Sequence, residues 1–79
     1  MEIMSDFEIY FSRHAKKQMK WRKISEGKVN NTILYPETIE DSVKKRKNAF
    51  KHIGNKWLKV TFVLEGNKIT VVTAIDKNN

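Results

Sequence analysis

The sequence predicts a single α+β domain, with two helices packed on one side of a curved antiparallel sheet. Three observations predict it. Apolar residues fall at helical spacing in the first half, they alternate strictly in the second half, and Gly-Asn pairs punctuate that alternation. The 79 residues suffice for one domain, 1–79, without a linker, repeat or low-complexity tract. A chain this short buries only about 60% of its extended surface, so its core has to be compact.

The elements follow in order. Phe7-Glu8-Ile9-Tyr10-Phe11 alternates and is rich in aromatics, as a short strand would be. Ser12 then caps a helix running to about Arg22, with Ala15 and Met19 on its buried face and Trp21 or the stem of Arg22 adding to it. Ser25 caps a second helix, Ile24 can staple it, and Val29, Ile33 and Leu34 supply its buried side. Pro36 ends that helix, because its ring disfavours helical geometry at Tyr35.

The remainder reads as strands, the first over 39–43. In the strand over 57–64, Leu58, Val60, Phe62 and Leu64 face inward. Gly66-Asn67 supplies a tight turn, since both residues tolerate positive φ. Pairing across it sets Glu65 against Lys68 and puts Ile69, Val71, Thr73 and Ile75 on the same inner face. Gly54-Asn55 repeats the turn chemistry and implies a strand over 46–53. A two-residue loop there turns Lys51 inward, which a bulge or a short helix at 47–52 would avoid; the sequence does not choose.

Composition excludes several classes. Without cysteine there is no disulfide scaffold and no thiolate metal site, and two histidines far apart in sequence do not suggest a structural metal; neither metal nor cofactor is expected. Glu2, Asp6 and Glu8 are the wrong charge for a signal peptide, and no run approaches the roughly 20 apolar residues of a membrane span. A cytoplasmic location is expected.

Sixteen Lys and Arg against nine acidic residues give a net charge of +7 and a pI near 9.8. Such a surface attracts phosphate polymers or an acidic protein. Lys44, Lys45, Arg46, Lys47, Lys51, Lys56 and Lys59 follow one another without an acid among them, interleaved with Phe50, His52 and Trp57. Lysines attract phosphates and aromatic rings stack on unpaired bases, although lysines on an edge strand also guard against aggregation. A second cluster occupies the first helix: Arg13, His14, Lys16, Lys17, Lys20, Arg22 and Lys23, with His14, Gln18 and Arg22 on one stripe. Its apolar face is too small for a membrane-surface helix.

Metal-free RNA cleavage needs a proton acceptor for the 2′-hydroxyl, a proton donor for the leaving oxygen, and cations for the phosphorane. His14 suits either proton role, Arg22 and Arg46 suit the phosphate, and His52 is a second proton-transfer candidate. Each has a plainer reading: His14 as a helix-start hydrogen-bonder, Arg22 as the partner of Glu26, His52 as surface.

The stretch Phe11-Ser12-Arg13-His14-Ala15-Lys16-Lys17-Gln18-Met19-Lys20-Trp21-Arg22-Lys23-Ile24-Ser25 resembles the S-x-H-A-x-x-R-M-x-x-R-G-I-S opening of a small bacterial domain family related to BrnT-like and RelE/ParE-like toxins. Pro36-Glu37 and the closing Val71-Val72-Thr73-Ala74 match its pattern too, so the resemblance spans nearly the whole chain. It implies a compact RelE-like fold: a short N-terminal strand and two helices on a curved sheet of three to four further strands. It also implies a toxin of a toxin–antitoxin pair that cleaves mRNA, on or off the ribosome, and is neutralised by an acidic antitoxin. His14 and Arg22 match the family's histidine and second arginine; Gln18 stands where the pattern has arginine and Lys23 where it has glycine.

The leading expectation is therefore a metal-independent endoribonuclease with His14, Arg22 and Arg46 at its centre. Lys17, Lys44, Lys45, Lys47, Lys51, His52, Trp57 and Lys59 would hold the RNA. The alternatives are a non-catalytic RNA- or DNA-binding module, or a basic protein whose only partner is acidic.

Overall fold

The computed structural model describes residues 7–77, which form β1 (Glu8–Phe11), α1 (Arg13–Arg22), α2 (Glu26–Leu34), β2 (Thr38–Asp41), β3 (Arg46–Ile53), β4 (Lys56–Glu65) and β5 (Lys68–Asp76). Glu2 and Asp6, which weighed against a signal peptide, lie outside the described residues. The five strands make one open sheet in the order β1-β5-β4-β3-β2. β2 through β5 pair antiparallel, whereas β1 lies parallel to β5 along Glu8↔Lys68 to Phe11↔Val71. The sheet is thus mixed rather than wholly antiparallel, and it holds more strands than the expected three to four because β1 joins it.

Local chemistry places the helix ends where the sequence puts them. Ser12 Oγ accepts the Ala15 N–H at 3.0 Å, and Ser25 Oγ accepts the Lys28 N–H at 3.2 Å. α2 stops at Leu34, before Pro36. Both helices bury their apolar stripes in one core: Ala15, Met19, Ile24, Val29 and Ile33 pack with Ala49, Leu58, Val60, Phe62, Ile69, Val71 and Ala74. Trp21 takes no part, being 86% exposed, and Arg22 is exposed as well. Ile24, 4% exposed, joins the core instead.

The β4–β5 hairpin keeps the expected turn and its closing Glu65↔Lys68 pair, with Gly66 at φ +63°. Its register shifts farther on: Thr61 opposes Thr73 and Phe62 opposes Val71, so Val72 is an extra residue in β5. One inserted residue exchanges the two faces of a strand. Ala74 and Asp76 therefore face the helices, and Thr73 and Ile75, expected inward, lie on the opposite face.

β3 contains neither a bulge nor a helix. It pairs without interruption from Arg46↔Val63 to Ile53↔Lys56 across a two-residue Gly54-Asn55 loop, and Lys51 does sit on the helix-facing side opposite Leu58. Its ammonium escapes the core by donating to the Tyr35 carbonyl at 2.8 Å, 5.7 Å from the centroid of the Tyr35 ring. The strand expected over 39–43 occupies Thr38–Asp41, and Val43 begins the turn to β3.

Candidate functional site

Two side chains dock α1 on the sheet. The Ser12 hydroxyl, besides capping, donates to the carbonyl of the inserted Val72 at 3.2 Å. Gln18 Oε1 accepts the Ala74 N–H at 3.2 Å, on the part of β5 beyond the end of β1. His14, Gln18, Trp21 and Arg22 recur at i, i+4, i+7 and i+8, so the side of α1 turned to β5 also presents His14 and Trp21. With Lys17 and Lys20 they line an open concavity of about 720 Å³. His14, Lys17, Lys20, Trp21 and Arg22 are all exposed. None of Arg13, Lys16, Lys17, Lys20, Arg22 and Lys23 makes an ion pair among the described residues.

The second basic cluster behaves differently. Lys47 binds Asp41 at 2.8 Å and holds that carboxyl below its ordinary range. Lys56 binds Asp76 at 3.1 Å, and Lys51 is committed to Tyr35. The backbone N–H of His52 donates to Glu37 Oε2 at 3.1 Å while its Nδ1 lies 3.2 Å from Oε1. The Glu37 carboxyl is held low, first by that backbone hydrogen bond and then by the imidazole and Lys51. Lys44 and Lys45 form the β2–β3 turn at φ +57° and +65°, an unusual backbone for residues with a Cβ. Arg46 and Lys59 lie on the sheet face away from the helices, as do Phe50, His52 and Trp57.

The family described as Domain of unknown function (DUF4258) matches residues 11–76. The chain belongs to that family. No curated protein and no solved structure matches it. The DUF4258 span runs from the last residue of β1 to the last of β5 and so contains α1 with its concavity and every described basic residue except Lys77.

Within this DUF4258 domain the expected site residues fall into two groups. His14, Lys17 and Arg22 share α1, where the eight steps from His14 to Arg22 span about 12 Å along the axis. Arg46 is not with them: it lies on β3, with β4 and β5 between it and β1, and does not line the concavity. Of the expected strand-binding lysines, Lys47 and Lys51 point to the helix side, whereas Lys59, with His52 and Trp57, points away. A single stripe from Lys44 to Lys59 does not form, because alternation divides it between two faces. The concavity also contains Trp21, which the sequence reading assigned to the core; its i+7 spacing from His14 was the available signal. The two departures from the opening motif acquire roles: Gln18 satisfies a β5 N–H, and Lys23 adopts the left-handed C-cap conformation at φ 59° that glycine accepts without strain.

A second concavity of about 370 Å³, lined by Phe7, Ile33, Leu34, Ile39, Lys47, Phe62, Leu64 and Ile69, is apolar except for Lys47 and holds no group suited to proton transfer.

Proposed function

We propose that this domain binds RNA along α1. The observation that carries the reading is the set of α1 cations without an acidic partner, arranged around a concavity that also holds an exposed tryptophan. Cations supply salt-dependent attraction to phosphates, and an indole supplies a stacking surface for a base. Gel-shift or anisotropy titrations with a short labelled RNA should give affinity that falls steeply with salt. Salt-independent binding, or none at low salt, would end the proposal.

A second reading adds metal-free cleavage, and the placement of His14 favours it. The imidazole lines the same concavity as Lys17 and Arg22, and imidazole exchanges protons near neutral pH. In this reading the fold is of the RelE/BrnT type, the RNA is mRNA, and an acidic antitoxin competes for the α1 cations in the cytoplasm. The proton roles fall to His14, and phosphate stabilisation falls to Lys17 and Arg22 without Arg46. Incubation with mRNA in chelator, with and without ribosomes, should give products that His14→Ala abolishes while RNA affinity changes little. Cleavage retained in His14→Ala would remove His14 from the chemistry. Absence of cleavage in the parent protein leaves the binding module standing.

A further inference from the structure

We infer that the sheet face turned away from the helices is a stacking platform for the bases of a single-stranded RNA. This rests on the RNA-binding reading above and extends it to a second surface. Both helices bury their apolar residues against one face, so nothing among the described residues covers the other. On that uncovered face Phe50 and Trp57 stack at 5.7 Å between ring centroids and 22° between planes. His52, directly opposite Trp57, adds a third ring at 4.2 Å, and Glu37 fixes its position. All three rings keep solvent exposure.

The cations of this face select the occupant. Lys59 lies in the middle of the same face, opposite Phe50 on one side and Ile75 on the other, and Arg46 lies farther along β3. Neither has an acidic partner among the described residues. The acids of this face, apart from the Glu37 bound to His52, sit at its margins: Glu40 on the edge strand β2, Glu8 on the edge strand β1, and Glu65 beside the last turn. The core of a protein–protein interface is depleted of charge, whereas a row of rings around a central cation suits splayed bases with phosphates between them. Duplex RNA hides its base faces and cannot use such a platform.

The two surfaces lie on opposite sides of the same stretch of β5. Ile75, on the row of Lys59 and Phe50, neighbours Ala74, whose N–H is held by Gln18 of the α1 concavity. Strands lie about 4.8 Å apart, so the platform spans about 10 Å from β3 to β5, a width that one extended RNA strand can cover.

The chain has two tryptophans, one in each surface: Trp21 and Trp57. The full chain carrying Trp21→Phe therefore reports the platform, and Trp57→Phe reports the concavity. Each is titrated to saturation with oligouridine and with an RNA duplex of equal length. The expected result is that the single strand quenches Trp57 and the duplex does not. Trp57→Ala should weaken single-strand affinity about tenfold, with most of the loss restored in Trp57→Phe. Trp57 emission that ignores saturating single strand while Trp21 responds overturns the platform and leaves the α1 reading intact. Equal quenching of Trp57 by the duplex also overturns it. Silence of both tryptophans with no RNA bound removes both proposals.

Discussion

Helix α1 and the β3–β4 hairpin each carry a run of cations with no acid between them, but the hairpin answers part of that charge and the helix none among the described residues. In the sheet, strand register and chain return bring Asp41 to Lys47, Asp76 to Lys56 and Glu37 to His52. On α1 the neighbours at i+4 are like charges, Arg13 with Lys17 and Lys16 with Lys20, and the first turn has no acid. Such pairs destabilise an isolated helix by roughly 0.2–0.5 kcal/mol each, and a cation at its N-terminus opposes the macrodipole. Charge density along the sequence therefore says little about where an anion binds; charge left over after folding says more. A helix that retains unfavourable repulsion is where a polyanion gains most.

The contrast can be broken most directly by neutralising three cations in each region. Lys17→Gln with Lys20→Gln and Arg22→Gln should lower RNA affinity roughly 50-fold at moderate salt and reduce the log–log salt slope by about 2, with the thermal midpoint nearly unchanged. The matching sheet triple, Lys47→Gln with Lys51→Gln and Lys56→Gln, should lower the thermal midpoint and change RNA affinity less than threefold. The opposite pattern would show that the sheet, not the helix, holds the RNA.

Smaller effects sharpen the comparison within the sheet. Lys56→Met removes the 3.1 Å ion pair to the buried Asp76 carboxylate and should cost about 2 kcal/mol, measured by urea unfolding. Lys51→Met removes the bond to the Tyr35 carbonyl and should cost about 1 kcal/mol. On the helix, Lys23→Gly relieves the left-handed cap and should stabilise by about 0.5–1 kcal/mol, though it removes one more unpaired cation.

The smallest effect concerns pH. The folded state depresses the Glu37 pKa, so its bonds to His52 stabilise the fold above the ordinary carboxylate pKa of about 4.3 and fade as pH falls through the lower folded value. A carboxyl NMR titration should place the Glu37 midpoint below that range, with the Trp57 ring resonances following the same curve. A midpoint at the ordinary value would show that the His52–Glu37 contact does not persist in solution.

Both capping serines, the stop before Pro36, the two Gly-Asn turns and the inward row of Leu58, Val60 and Phe62 are legible in the sequence. Each depends on residues adjacent in the chain, because backbone preference, capping and alternation are local properties. The α1 stripe of His14, Gln18 and Arg22 is legible for the same reason. Only the tertiary structure decided the rest. The inserted Val72 turned Thr73 and Ile75 outward, the two-residue loop carried Lys51 to the helix side, and partners from other segments, near (Asp41) and far (Asp76, Glu37), answered Lys47, Lys56 and His52. It also separated Arg46 from His14 and left Trp21 in solvent. Register, strand order and ion pairing depend on which surfaces meet when the core closes, and no residue carries that information in its immediate neighbours.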